Sequence, residues 1–383
     1  MTGADHQDSC GQDARGPRSG QDGRGPRRFP CQRCGAQLEF APGTSALRCA
    51  YCGFENPIPE SDRRVEELDF RAHLAELAGR AETVDALTVK CQACAAEVSM
   101  PQDVTSHACP FCGSNVVATA SSRKLLKPRS LLPFRVTRVE AVAAFGQWLK
   151  KLWFAPSKLK QFARLDGRLS GVYTPYWTYD CEAFSRYTGQ RGDNYWVTET
   201  YTAIENGKPV MRTRQVQRIR WTPVSGSVED HFDDVLIIAS RSLPRENAVA
   251  LEPWDLKQLV PYGDEYLSGF GAESYQIDLA EGFANAQAIM EQTIRATVCR
   301  DIGGDHQQID WLKTRHENIT FKHILLPVWI SAYRFRQKVY RILVNARTGE
   351  VQGERPWSWA KIGLTIAAAV AVIATIAIVA TRS

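Results

Sequence analysis

Cys31-Gln-Arg-Cys34-Gly and Cys49-Ala-Tyr-Cys52-Gly, followed by Cys91-Gln-Ala-Cys94 and Cys109-Pro-Phe-Cys112-Gly, decide how this chain is read. In each half fourteen residues separate the inner cysteines, and every cysteine of the second half lies sixty positions after its counterpart. Two thiolates at i and i+3 on a tight turn occupy one edge of a tetrahedral ion. A second such turn, brought back by a short hairpin, supplies the opposite edge. Glycine follows Cys34, Cys52 and Cys112, where backbone N–H groups must fold over the sulfurs. The pattern predicts a tandem pair of four-cysteine zinc ribbons with two structural Zn2+ ions. The ligands are Cys31, Cys34, Cys49 and Cys52 in one and Cys91, Cys94, Cys109 and Cys112 in the other. Four sulfurs leave no open position for water, so such sites hold a fold and do no chemistry. Each loop is too small to bury a core unaided, and metal binding would supply roughly 10–16 kcal/mol of apparent folding energy.

Two rival readings use the same residues. Disulfide pairing requires an oxidising compartment, which the membrane topology argued below does not provide. A rubredoxin-like iron site shares the Cys-Pro-Phe-Cys-Gly wording, for which fourteen residues is a short separation.

The 383 residues, 44% hydrophobic and 23% charged, are ordinary for a folded protein of two or three domains. The formal net charge of +5 counts the eight ligand cysteines as neutral. Each filled site changes the charge by −2, so the metal-loaded chain sits near +5 − 4 = +1 and favours no class of partner. Cys10, Cys181 and Cys299 read as free thiols.

Around the modules the chain divides as follows. Residues 1–29 nearly repeat Gly11-Gln-Asp-Ala-Arg-Gly-Pro-Arg18 at Gly20–Arg27. They carry too little apolar surface to fold and lack the apolar stretch of a signal peptide, so a disordered tail is expected. The ribbons occupy 30–58 and 87–120, and 59–86 is a linker helix with Ser61 as N-cap and Val65, Leu68, Leu74 and Leu77 packing on a ribbon. An α+β domain rich in antiparallel strands fills 121–356. In it, Thr137-Arg-Val-Glu140 is a capping box, and Asp278 caps a helix with a Phe283, Ala286, Met290, Ile294 stripe that stops at Gly303-Gly304.

Asn206-Gly207 predicts a two-residue hairpin turn. If Glu205 pairs with Lys208, then Tyr201 faces Arg212, Glu199 faces Arg214, Val197 faces Val216 and Tyr195 faces Arg218. One face is then a mix of Arg and Tyr, which reads as a solvated sheet face whose charges discourage edge pairing.

Ile362–Ala380 is uncharged over nineteen residues, and 361–380 reads as a transmembrane helix of roughly 28 Å. Trp357 and Trp359 stand at its start, with Arg355 and Lys361 beside them. Only Thr381-Arg-Ser383 follow, which predicts a C-terminal anchor in the cell membrane with the preceding region in the cytosol. Ala367, Ala371 and Thr375 give the small-residue spacing that permits helix association.

Catalytic motifs are absent from the sequence: no phosphate-binding loop, no Gly-x-Ser-x-Gly, no His-Glu-x-x-His and no dinucleotide fingerprint. His231-Phe-Asp-Asp234 and Asp301-Ile-Gly-Gly-Asp305-His306 put His near carboxylates, a pattern of turn and cap residues. A deep polar pocket at His231 or His306 would instead point to an enzyme.

With ribbons, core and anchor in place, the chain resembles a bacterial family of membrane-anchored double zinc-ribbon proteins. The ribbons of that family are of the transcription-factor-IIB type, and its members often carry the label primosomal protein N′ (replication factor Y), superfamily II helicase-like. The matching words are Cys91–Gly113, Leu131-Leu-Pro-Phe134, Leu152-Trp-Phe-Ala-Pro156, Gly171–Trp177, Phe232-Asp-Asp-Val235, Leu251–Leu256, Phe321–Trp329 and Val344–Trp357. The helicase label is not carried over, because the nucleotide-binding loop is missing. Similar proteins also occur alongside flotillin-like and phage-shock-type membrane proteins. The resemblance therefore implies a non-enzymatic adaptor that recruits protein partners to the cytosolic face of the membrane. The alternative is nucleic-acid binding by the ribbons and the Arg/Tyr face.

Overall fold

The computed structural model describes residues 29–59, 61, 64–79, 83–91, 96–99, 106–109, 111, 115–117, 121–153, 169–205, 208–335, 338–354 and 358–382. The expected disordered tail and the Asn206-Gly207 turn lie outside them, apart from Phe29.

The first cysteine module forms a small antiparallel sheet of β1 (Leu38–Phe40), β2 (Ala46–Cys49) and β3 (Glu55–Pro57). β4 (Leu68–Asp69) and α1 (Phe70–Gly79) follow. The second module carries β5 (Thr83–Lys90), β6 (Glu97–Ser99), β7 (Ser106–Ala108), β8 (Asn115–Val117) and β9 (Ser121–Leu126). Next come β10 (Ser130–Leu131), α2 (Arg138–Lys151), the long β11 (Ser170–Glu205) and β12 (Lys208–Ile238), then α3 (Arg245–Val249), β13 (Val260–Pro261) and β14 (Gly271–Ala272). The chain continues through α4 (Leu279–Ile302), β15 (His306–Phe335), β16 (Lys338–Asn345) and β17 (Val351–Gly353) to α5 (Trp359–Arg382). The fold is mixed α+β and rich in antiparallel strands.

β15 is the spine of the main sheet and runs from His306 to Phe335. One edge pairs with β11 from Ser170↔Ile330 to Gly192↔His306. The other edge is served in turn by β4 at Thr320 and Phe321, β10 at Ile324 and Leu325, and β16 from Val328 to Phe335. β12 covers the outer side of β11 and is itself an edge strand.

Alternation along these strands sorts the core onto two faces. Leu131, Tyr173, Leu325 and Trp329 point to one face, where they pack with α2 and with Cys31, Leu38, Phe40 and Cys49 of the first module. Leu132, Val172, Ile324 and Leu326 point to the other, where they pack with Cys91, Ala96, Cys109 and Phe111 of the second. The two cysteine modules thus clasp opposite faces of one sheet. Further along the first face, Trp177, Tyr179 and Phe321 pack beneath α4.

The predicted caps of α2 and α4 form. Thr137 accepts from the Glu140 N–H and Glu140 from the Thr137 N–H, and Asp278 accepts from Glu281, with α4 ending at Gly303. α1 differs from its prediction. It starts at Phe70 rather than near Ser61, because Leu68 and Asp69 are drawn into the sheet as β4 and Asp69 accepts from the Ala72 N–H at 2.6 Å. Its Phe70 packs on Tyr179, Phe283 and Phe321 of the main core, with ring centroids 4.8 to 6.5 Å away, and not on a cysteine module.

Gly282 sets how closely α4 approaches β11. A Cβ there would lie 2.4 Å from the Tyr179 hydroxyl and 2.8 Å from Trp177, and both rings are pinned by hydrogen bonds to backbone carbonyls of Leu279 and Ile277. Gly282→Ala, which raises intrinsic helix propensity, is expected to lower stability by about 1–3 kcal/mol through overpacking. Thermal melts of the purified protein check the sign.

Candidate metal centre

The four cysteines of the first module converge. Cys31 Sγ lies 3.6 Å from Cys52 Sγ and Cys34 Sγ 3.5 Å from Cys49 Sγ, and all four sulfurs fall within 4.8 Å of one another. A tetrahedral ion with metal–sulfur distances of about 2.3 Å requires sulfurs roughly 3.8 Å apart, so the cluster fits a soft cation. Two tight turns produce it. The Gly35 N–H donates to the Cys31 carbonyl and the Gly53 N–H to the Cys49 carbonyl. Both glycines adopt the left-handed conformation, φ 75 and 70°, that other residues reach only with strain. Cys31 and Cys49 are buried against the sheet, while Cys34 is exposed.

The electrostatics suit thiolate ligation. Burial pushes the Cys31 thiol up, but the N–H groups of Cys34 and Arg33 and the Cys52 side chain outweigh it and bring it down to about 6. The Cys52 N–H holds Cys49 below the ordinary thiol value. For Cys34 the Ala36 N–H pulls down, yet the crowding sulfurs of Cys49 and Cys52 push it up to about 12. Sulfurs this close resist joint ionisation until a cation is shared among them.

The second module repeats the backbone frame of the first. The Cys91 N–H donates to the Ala96 carbonyl at 2.8 Å, as the Cys31 N–H does to Ala36 at 2.7 Å. β7 and β8 pair as β2 and β3 do, sixty positions on. Cys91 and Cys109 are buried; Cys94 and Cys112 lie outside the described residues.

A second convergence of ligand types, Asp180, Asp233 and Asp234, sits where a bulge interrupts the β11–β12 pairing. A protein cation already serves it. Lys322 Nζ lies 2.8 Å from Asp234, 2.9 Å from Glu67 and 3.6 Å from Asp180. Burial alone would favour the neutral amine, but the Asp234 and Glu67 carboxylates hold the Lys322 pKa above the usual lysine range. The Lys322 hydrogen bond in turn lowers Glu67. This network fastens the segment between the modules to the sheet beside β4. Lys322 and Asp180 are the buried members, while Glu67 is exposed and its pairing is screened by solvent. Sequence reading missed it, since its members are far apart in the chain and no local pattern joins them.

The His-containing motifs form braces. Asp301 accepts from the Tyr187 hydroxyl at 2.6 Å, Asp305 from the Asn194 N–H at 2.7 Å, and His306 lies 3.1 Å from the Asn194 side chain. His231 and His306 are both exposed. The cavity of about 220 Å³ between the β12 edge and α4, lined by Tyr176, Ile238 and Ile289 among others, contains neither.

The hairpin register is the predicted one from Glu205↔Lys208 to Tyr195↔Arg218. Glu199 pairs with two of its arginines, with Arg214 at 3.2 Å and Arg218 at 2.5 Å. Among the described residues α5 is the one helix long and apolar enough to cross a membrane, over Trp359–Ala377, and none of that stretch is buried.

No family model matches the chain, and no solved structure matches it. It is 23% identical over 337 residues to the uncharacterized protein YdjG of Bacillus subtilis (strain 168), covering 87% of this chain and 91% of that protein. The likeness runs through most of both chains and brings no activity with it.

Cys31 and Cys49 belong to the main core, so losing the cluster reaches beyond the module. Cys49→Ser is expected to remove one bound metal per chain and lower the melting temperature by roughly 6 °C, about 4 kcal/mol at this size. Elemental analysis alongside thermal melts reads both effects. An unchanged metal content would contradict the assignment.

Proposed function

We propose that the protein is a membrane-anchored, non-enzymatic adaptor whose two zinc ribbons hold a rigid platform that recruits a protein partner. In this reading Cys31, Cys34, Cys49 and Cys52 bind one structural Zn2+ and Cys91, Cys94, Cys109 and Cys112 a second. α5 spans the cell membrane, and the region before it faces the cytosol. The observation that carries the reading is the convergence of four cysteine sulfurs within 4.8 Å of one another, with Cys31 and Cys49 buried in the core, a ligand set that suits a structural site. The sixty-residue offset extends the same role to the second module.

The platform has exposed surface to offer. Tyr51, 88% exposed, and Phe54, 39% exposed, stand at the Cys49–Cys52 turn of the first module. Flotillin-like or phage-shock-type membrane proteins are the partner class that the family resemblance suggests. Full-length protein purified by affinity tag from solubilised membranes, with and without nuclease, tests the adaptor role by mass spectrometry. A membrane-protein partner is expected to survive nuclease and to be lost with Cys91→Ser, while that variant stays in the membrane fraction. Retention of the partner by Cys91→Ser would overturn the reading.

A second reading, nucleic-acid binding, rests on Arg212, Arg214, Arg218 and Arg220 along one face of the hairpin. The one Glu199 carboxylate, shared by Arg214 and Arg218, offsets part of that charge, which weighs against it. In the purification above, partners that vanish with nuclease would favour it.

A further inference from the structure

The C-terminal end of α2 lies beside the start of α5. Gly353 of β17, the last strand before α5, is so close to α2 that a Cβ on it would lie 3.3 Å from the Trp148 ring. Lys361 Nζ donates to the Trp153 carbonyl at 3.2 Å. Trp153 therefore stands within a lysine side chain's reach of the point where the uncharged run Ile362–Ala380 begins. α2 itself is fixed to the platform, with Phe145, Leu149 and Leu152 buried in the core on the first face beside Trp329, Ile342 and Val344.

What this end of α2 turns outward is of another kind. Trp153 is 76% exposed, and Trp359, on the first turn of α5, is 79% exposed. Lys150 and Lys151, in the last turn of α2, are exposed and make no ion pair with a described residue. Lysines there complement the helix dipole, which explains them singly. The dipole does not account for two exposed indoles gathered with three ammonium groups where an apolar helix leaves the platform. An indole is favoured at the headgroup level of a bilayer, where its ring is in an apolar layer and its N–H is wet. Lysines beside it meet the anionic lipids of the cytoplasmic leaflet, each contributing roughly fivefold in affinity.

We propose that the C-terminal end of α2 is a second membrane contact: Trp153 seats in the headgroup layer of the bilayer that α5 crosses, and Lys150 and Lys151 bind anionic lipid there. The proposal rests on the reading of α5 as a membrane span and is independent of the cysteine clusters. Two arguments select the bilayer as the occupant. The patch is continuous with the start of the spanning helix, so a membrane is already in place beside it. Its free lysines complement anionic headgroups in charge. Held by α5 alone, the platform would turn about the helix axis; a contact on α2 stops it. The β11–β12 arm leaves the sheet at the His306 end of β15, opposite the end where β16 and β17 lead to α5. The second contact thus holds the arm away from the bilayer.

The test uses full-length protein carrying one environment-sensitive fluorescent amino acid, in vesicles of phosphatidylcholine and phosphatidylglycerol that include a lipid with a nitroxide high on its acyl chain. The label replaces Trp153, Trp196 on the arm or Ile366 in α5; the first two are both exposed indoles, so the bulk of the label is matched. Strong quenching is expected at 366, from insertion of α5. Quenching at 153 is expected to exceed that at 196 about fivefold. It should fall by about threefold when Lys150→Gln and Lys151→Gln are combined, and likewise in vesicles of phosphatidylcholine alone. Circular dichroism melts of the lysine variant, expected to be unchanged, exclude misfolding. Equal quenching at 153 and 196 with 366 quenched would overturn the proposal and leave the membrane span standing, whereas an unquenched 366 would overturn both. Quenching at 153 that responds neither to the lysine variant nor to lipid charge would also overturn it.

Discussion

The structure depends on the occupancy of both edges of β15. Along one edge it pairs with β11 from Ile330 to His306; along the other, three separate pieces of chain add β4, β10 and β16. Each piece brings its neighbours with it. β4 carries α1 and Glu67, β10 sits between the second module and α2, and β16 leads through β17 to α5. From Thr320 to Ile330, where partners serve both edges, the strand's backbone hydrogen bonds are met on either side and its side chains define two packed faces.

Those faces explain the placement of the cysteine modules. Phe40 packs on Tyr266 at 5.2 Å and its N–H donates to the Ser268 carbonyl, while the Gly43 N–H donates to Phe134. The first module is therefore joined to the sheet by both apolar and polar contacts, and Cys31 and Cys49 take part in the same core as Leu131 and Trp329. The second module meets Leu132 and Tyr176 on the other side. A metal bound in either module would act on the whole platform and not on a detachable finger.

What the sequence made legible was local. The cysteine spacing, the Thr137 and Asp278 caps and the Asn206-Gly207 register each rest on residues within a turn or hairpin, where chemistry at fixed offsets dictates geometry. What it did not show joins distant parts of the chain. Glu67 meets Lys322, and Leu68 and Asp69 act as a strand because Thr320 and Phe321 offer an open edge. The Ser61 helix start failed for that reason: tertiary pairing overrode a plausible local cap. The seating of the two modules on opposite faces of one sheet was equally hidden, since the alternation that sorts residues such as Leu131 and Leu132 onto those faces is visible only once their partners are known.

The central claim is that the two modules are closed, sulfur-ligated zinc sites built into the sheet. X-ray absorption at the zinc edge of the full-length protein, with the metal content measured on the same sample, tests it most directly. The account predicts two zinc ions per chain, each with four sulfur neighbours at about 2.3 Å and no nitrogen or oxygen in the first sphere. Metal-free protein, or zinc bound through oxygen or nitrogen, would contradict it.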